Sequence, residues 1–564
     1  MNRARRRALL LAPLLALALL AAGCRNDNNQ FKIGENDTNP VDRGSVPTGG
    51  TLNWAITQLP SNYNFNQIEG ARSDEDAVIS ALMPSTFVFQ ASAEPVPNRD
   101  YVTSAQLTAT SPQQVVTYEI NPKAAWEDGT PITETDFESQ WRALNGTNAG
   151  YKAAFTQGYD QIGAVTQGKD PREVVVTFRN PYTDWRALFS PLYPASANKD
   201  PKTFNEGWIS KPPTTAGPFT FQGFDASAQT LTLVRSKTWW GQPAKLDSII
   251  FHAFGGDTNT ELDALSKGKV DFVNIPPDEG QLRAARAIKG VTIRRAGGPD
   301  FRQVTMNGAG PTLQDVTVRK ALGLAIDRTR IAKALLDPLG VPDARLDNHI
   351  YMTNQRGYRD NSGDLTTADP KQAVALLDRA GWKLSGSGGT RSRNGQPLEI
   401  RLVIPSKVPA AAREAALIKT MLKGVGADVT VQTVPGIQFI TGYILSGDFD
   451  LALFSWQGTP FPITSNLPIY RNPTKAPSGQ LVIHQNYARV GSPELDQLFA
   501  RALAELDPNA ATRLGNEIDA KIWQEVHSLT LYQRPQIVAT KSNLANFGAF
   551  GFASPDYTAI GFTR

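Results

Sequence analysis

Short runs of β-branched and aromatic residues recur along the whole chain with capped helical segments between them, and this alternation restricts the fold to the α/β class. Thr51 to Ile56, Val115 to Ile120, Val174 to Phe178, Thr230 to Val234 and Leu398 to Ile404 each predict a strand. Helical patterns lie between them, densest after residue 310. Asp369-Pro370 and Ser492-Pro493 place a capping side chain before a proline at the first helical position, and Gly381 and Gly424 are expected to close helices. Leu495, Leu498, Ala502 and Leu506 share one helical face, as do Leu514, Ile518 and Ile522. Arg319, Asp315 and Asp327 read as helix caps and a surface ion pair. With 564 residues the chain has material for about three domains.

The stretch AAWEDGTPITETDF, residues 124–137, shows this local grammar in compact form. After the strand at Val115 to Ile120, Asp128-Gly129 makes a tight turn, and Thr133 caps a helix running to about Leu144. Asp136 stands at the capping-box distance from Thr133, and Ile132 and Phe137 hold the staple positions. Trp126 and Trp141 lie on apolar sides and are expected in the core.

The first residues bound the cellular context. Arg3, Arg5, Arg6 and Arg7 precede an apolar run from Ala8 to Ala22, followed by Gly23 and Cys24. This is the layout of a secretory signal peptide over residues 1–23, too short and wrongly flanked for a stable membrane span. Leu20, Ala21, Ala22 and Gly23 before the chain's one cysteine resemble a bacterial lipobox, which makes Cys24 the expected lipidation site; an ordinary cleaved signal is the alternative. Export through the general or the twin-arginine route is left open by the arginines. The four leader arginines account for the whole formal net charge of +4, so the mature chain is neutral and lacks the concentrated basic surface that nucleic acid requires. A single cysteine excludes disulfides. Residues 25–49 are rich in Asn, Asp, Gly and Pro and read as a disordered tether.

Catalytic constellations find little support. His252, His349, His484 and His527 are scattered singly with no cysteine to complete a zinc set, no nucleophile elbow is present, and SGSGGTRSRNG (385–395) lacks the ending of a phosphate loop and reads as a flexible hairpin tip. No cofactor and no metal is expected. An exported enzyme stays as the weakest of three readings.

The stretch at 124–137 resembles the W-x-D-G-x-P-x-T-x-x-D-F signature of the bacterial extracellular solute-binding proteins of family 5, which serve ABC importers of oligopeptides, dipeptides and nickel. TAGPFTFQGFDASAQTLTLVRSKTWWG (215–241), LDSIIFHAFGGDTNTELDALSKGKVDFV (246–273), FRQVTMNGAGPTLQDVTVRKALGLAIDRTRIAKALL (301–336), ADPKQAVALLDRAGW (368–382) and SPELDQLFARALAELD (492–507) are similar to later family segments in the same order. The resemblance implies a two-lobed, periplasmic-binding-protein-like clamp of type II with an extra domain inserted in lobe I. Lobe I would take 50–68, 201–298 and 532–564, the inserted domain 69–200, and lobe II 299–531. Crossings near Gly297–Asp300 and Leu529–Gln533 would form the hinge.

Ligand contacts are expected from two loops. Tyr63, Asn64 and Asn66 come from LPSNYNFNQIEG (59–70), and Trp456, Gln457, Thr459 and Phe461 from FSWQGTPFPITSN (454–466); Tyr532 joins them from the second crossing. Peptide-binding members carry W-x-x-D at the second loop, and the aspartate pairs with the ligand's α-ammonium. Here Thr459 stands in its place. An ammonium buried without its carboxylate costs on the order of 3–5 kcal/mol, so the usual peptide chemistry does not transfer, unless Glu69 or Asp74 replaces the acid. The expected role is a monomeric, lipid-anchored, extracytoplasmic receptor that captures a peptide-like or other mid-sized organic solute for a membrane permease. A non-transport cell-envelope lipoprotein using the same clamp is the alternative.

Overall fold

The computed structural model describes residues 35–341, 345–384 and 389–564. Ten strands join in one mixed sheet: β1 (Thr51–Ile56), β2 (Phe219–Asp225), β3 (Thr230–Arg235), β4 (Ser248–Ala253), β5 (Phe272–Ile275), β6 (Val291–Met306), β7 (Glu399–Pro405), β8 (Asp428–Val434), β9 (Leu451–Gln457) and β10 (Ser528–Lys541). Their order across the sheet is β8-β7-β9-β6-β10-β5-β1-β4-β3-β2. β7 runs parallel to β8 and β9, and β1 runs parallel to β4 and β5, while β6 and β10 are antiparallel.

β6 and β10, of 16 and 14 residues, are the spine of this sheet. Side chains alternate across a strand, so one pair of strands can feed two cores. Ala296 and Val538 pack into a first core built mainly from residues 52–251 and 544–560. Val304, Leu529 and Leu531 pack into a second, built mainly from residues 262–453 and 523–539. The ladder between β6 and β10 breaks register between Gly297 and Phe301. A β-carbon on Gly298 would sit 2.7 Å from the Arg534 carbonyl oxygen and 3.0 Å from the Gln536 nitrogen, so only glycine lets the strands close up at this bulge.

A separate antiparallel sheet, ordered 102–109, 115–120, 173–178, 162–167, carries the 124–137 stretch beside it. The helix there spans Glu134–Leu144. The Asp136 carboxylate accepts from the Thr133 backbone N–H at 3.0 Å, the Trp126 indole N–H at 3.3 Å and the Ala195 backbone N–H at 2.8 Å. One side chain thus ties turn, helix start and a distant loop together, and Trp126 and Phe137 are buried in the first core.

Three local expectations are corrected. Residues 37–49 are no loose tether: Asp37 pairs with Ala549, its carboxylate meets Arg294 at 2.6 Å, Val41 N–H donates to Asn546 at 2.8 Å, and Val46 is buried. Low apolar content argues for disorder only when the backbone finds no partners, and here the C-terminal segment supplies them. The helix Pro409–Gly424 includes Gly424, and the left-handed position after it falls to Gly426 at φ 85°. Asp315 and Asp327 cap helices as expected, but Arg319 forms no surface ion pair. It is buried and donates to the carbonyls of Leu313, Gln314, Glu525 and Val526, two of which are the unsatisfied C-terminal groups of the helix Pro508–Glu525.

Cys24, the rest of residues 1–34 and residues 385–388 lie outside the described residues. Directly downstream of 388 the chain makes a tight hairpin, with Asn394 and Gly395 both at positive φ between short strands, as a two-residue turn of the primed type requires. Among the described residues no helix is long and apolar enough to cross a membrane.

Candidate binding site

In an open α/β sheet, ligand sites lie beyond the carboxyl ends of the parallel strands. β7, β8 and β9 end together, and β9 delivers Trp456 and Gln457 at that edge. The Trp456 ring stacks on Tyr487, centroids 5.6 Å apart and 9° from parallel, and meets Phe454 edge-on at 5.5 Å. Its indole N–H is buried without an acceptor among the described residues. Gln457 is exposed beside it. A concavity of about 670 Å³, lined by Trp382, Arg393, Glu399, Arg401 and Asp450 among others, lies instead at the amino ends of these strands, the wrong edge for such a site.

The next residues turn sharply. Gly458 donates to the Pro299 carbonyl at 2.7 Å and packs so tightly that a β-carbon would meet the Met352 side chain at 2.8 Å. The Thr459 hydroxyl donates to Ser465 Oγ at 2.9 Å and accepts from the Phe461 N–H at 3.1 Å, while the Thr459 carbonyl accepts from Gln355 Nε2 at 2.8 Å. Thr459 therefore shapes the turn into the helix Pro462–Tyr470. Phe461 reaches out of this turn and meets Phe89 edge-on, centroids 5.7 Å apart.

Phe89 belongs to the hairpin of strands Phe87–Phe89 and Pro95–Pro97. Ala93 at this tip, Phe301, Leu346, Met352 and Phe552 form a small buried cluster with Trp456 against it. Asn354 Nδ2 donates to the Ala91 carbonyl at 3.1 Å. Gln533 of β10 holds the base of the arrangement: its Nε2 donates to the Gly298 carbonyl at 2.8 Å and to Asn354 Oδ1 at 3.0 Å. Arg534 faces Asp300 at 3.2 Å across the bulge.

Of the eight residues proposed from the sequence, Trp456, Gln457, Thr459 and Phe461 come together in this turn. The other four lie elsewhere. Tyr63, Asn64 and Asn66 are buried in the first half of the molecule. The Tyr63 ring meets Phe221 edge-on at 5.4 Å and its carbonyl accepts from the Tyr193 hydroxyl at 2.7 Å. Asn64 Nδ2 donates to the Phe204 carbonyl at 2.9 Å and its Oδ1 accepts from the Asn66 N–H at 3.1 Å. The Asn64 side chain holds this irregular backbone in place, whereas Asn66 Nδ2 is buried without an acceptor among the described residues.

Tyr532 is likewise corrected to a buried position. Its hydroxyl donates to Glu414 Oε1 at 2.5 Å, and Arg302 reaches the same fully buried carboxylate through Nε at 3.1 Å and Nη2 at 2.5 Å. Burial first and the Glu414 charge second push the phenol well above its ordinary 10. Glu69 is exposed, and Asp74 accepts from the Thr57 and Gln58 N–H groups after β1; neither acid is bonded to the turn at Thr459. Sequence reasoning missed Phe89, Asn354 and Tyr487, each distant in the chain and unmarked by any local motif.

The family described as "Bacterial extracellular solute-binding proteins, family 5 Middle" matches residues 101–478. The chain belongs to that family. This solute-binding protein is 37% identical over 570 residues to the oligopeptide-binding protein OppA of Mycobacterium tuberculosis H37Rv, covering 98% of this chain and 93% of the relative. It is 26% identical over 467 residues to the probable monoacyl phosphatidylinositol tetramannoside-binding protein LpqW of the same organism, covering 72% and 70%. Among solved structures it resembles the periplasmic EDTA-binding protein EppA, with a TM-score of 0.83, 26% identity and coverage of 95% and 99%. The fold is that of the type II periplasmic binding proteins, and the protein is a binding protein, not an enzyme.

Proposed function

We propose that the protein is the lipid-anchored receptor of an ABC importer, holding a peptide-like or other mid-sized organic solute between its lobes and handing it to a membrane permease. The observation that carries this reading is the near full-length match, at 37% identity over 98% of the chain, to a protein named for binding oligopeptides. In this reading lobe I takes 50–68, 201–298 and 532–564, the inserted domain 69–200, and lobe II 299–531. The bulge at Gly297–Phe301 opposite Gln533–Pro535 is then the hinge. Supporting it, β6 and β10 carry the chain between these bounds, and the register break in their ladder is where backbone rotation costs least.

The solute would lie against Trp456, Gln457, Thr459 and Phe461. Trp456 offers an aromatic wall and one unsatisfied N–H, which suits a carbonyl or carboxylate oxygen of the ligand. Thr459 brings no charge, so a free amino terminus is not demanded by this turn. Cys24 is the proposed membrane anchor and the protein acts as a monomer. Native mass spectrometry of the protein purified from its own host tests the reading: copurified peptides are expected, and a glycolipid as the sole bound species would overturn it.

A further inference from the structure

The helix Pro462–Tyr470 starts without a cap of its own, because its N-cap residue is Phe461 and no side chain there accepts a hydrogen bond. The missing acceptor comes from 280 residues away. Asp184 Oδ2 accepts from the Thr464 backbone N–H, at the third helical position, at 3.3 Å and from the Thr464 hydroxyl at 2.5 Å. Alongside, the Thr183 N–H donates to the Leu503 carbonyl at 2.8 Å and the Tyr182 hydroxyl lies 3.4 Å from Thr464 Oγ1.

The two partners are rooted in different hydrophobic clusters. Tyr182, Trp185 and Leu188 around Asp184 are buried in the first core. Ile463, Ile469 and Tyr470 around Thr464 belong to a separate cluster with Leu495, Phe499 and Ile518. A carboxylate at a helix N-terminus meets both unpaired N–H groups and the positive end of the helix dipole. Burial pushes the half-buried Asp184 carboxyl above its ordinary value, while the two Thr464 hydrogen bonds and then the Arg186 charge pull it back down.

We propose that Asp184 is a positioning residue for solute binding: it caps the helix behind the Trp456–Phe461 turn only when the lobes are shut, and so links closure to the shape of the ligand turn. The inference rests on the two-lobe reading above. When the lobes part, the helix loses its cap and the turn loses the anchor of its downstream end; when they meet, both are restored.

The test is a distance measurement by double electron–electron resonance on the mature chain in a Cys24→Ser background, with spin labels at Phe155→Cys and Ile437→Cys, both exposed and one in each proposed lobe. Samples are compared with copurified solute kept, and after unfolding, washing and refolding. Asp184→Ala and Thr464→Val are each expected to lower the ratio of closed to open molecules about tenfold, the size of a hydrogen bond to a charged group. Thr464→Ser, which keeps the hydroxyl, should restore it, and the double variant should add nothing further. Hydrogen exchange of the Thr464 amide should accelerate in Asp184→Ala. If Asp184→Ala only lowers the unfolding temperature and leaves the distance ratio unchanged, Asp184 is a local cap and the proposal is wrong. If the wild-type chain shows one distance under both conditions, the clamp reading itself fails.

Discussion

Two regions join the halves of this molecule, and they are built from opposite materials. At the bulge between β6 and β10 the connection is covalent chain and ladder hydrogen bonds, backed by the buried Arg302–Glu414–Tyr532 group. At the mouth, where Phe89 meets Phe461 and Asp184 meets Thr464, it is a handful of side chains and single hydrogen bonds. In the clamp reading proposed above, the first would survive every rotation and the second would form and break. Ladder bonds and a fully satisfied buried charge are costly to open, whereas one aromatic pair and one capped helix end are worth a few kcal/mol at most.

The comparison is broken most directly at Glu414. Glu414→Ala leaves the Arg302 guanidinium buried without its carboxylate and the Tyr532 hydroxyl without an acceptor, and a loss of about 3–5 kcal/mol is expected in denaturant unfolding. A loss below about 1 kcal/mol would mean that water reaches this group and that the two regions are less different than they look.

Acid probes the same side. His527, just before β10, is buried, donates through Nε2 to Asn486 Oδ1 at 2.9 Å, and has its pKa pushed well below the ordinary 6.5 by burial, with His349 adding to the effect. The unfolded chain therefore takes up this proton first. The stability His527 contributes is complete above about pH 6.5 and drains as the pH falls below it, by up to about 1.4 kcal/mol per pH unit. His527→Gln should flatten that slope in unfolding curves recorded from pH 7 to pH 5; an unchanged slope assigns the acid sensitivity elsewhere.

At the mouth the expected effects shift from stability to closure. Phe461→Ala removes one edge-on aromatic pair worth about 0.5–1.5 kcal/mol, so the unfolding midpoint should barely move, while small-angle scattering of solute-loaded protein should report a larger radius of gyration. A large drop in the midpoint with unchanged scattering would show the mouth to be a permanent interface.

The smallest effect sharpens the chemistry of the turn. Because the Thr459 hydroxyl is spent on Ser465 and Phe461 and carries no charge, acetylating the amino terminus of a bound peptide should change its affinity less than tenfold, about 1.4 kcal/mol, in titration calorimetry. A stronger preference for the free amine would place an acid at the site from another part of the chain.

Local structure followed closely from local sequence. The strand at Val115–Ile120, the helix opened by Thr133 and Asp136, and the proline-initiated helices after Asp369 and Ser492 stand where the residues predicted them, since caps, turns and alternating apolar positions act over three to five residues. Family membership was legible too, because those same caps and turns recur in a fixed order. Facing was not legible. Tyr63, Asn64 and Asn66 had the chemistry of a ligand loop, yet what they touch was decided by residues 193–208 folding over them. Arg319 looked like a surface cation until the end of a distant helix needed its donors, and the acidic, proline-containing segment at 37–49 looked loose until residues 544–549 paired with it.

By itself, then, the sequence determined where the chain turns, which residues start its helices and which family it belongs to, because those are matters of short-range sterics and hydrogen bonding. Only the tertiary structure decided which polar side chains are spent inside and which meet a partner far along the chain. Asp184 and Thr464 are 280 residues apart, and no local rule relates an aspartate after one turn to a helix end in another cluster. Their pairing depends on how the first core and the separate cluster around Thr464 pack together, and that is a property of the whole packed chain.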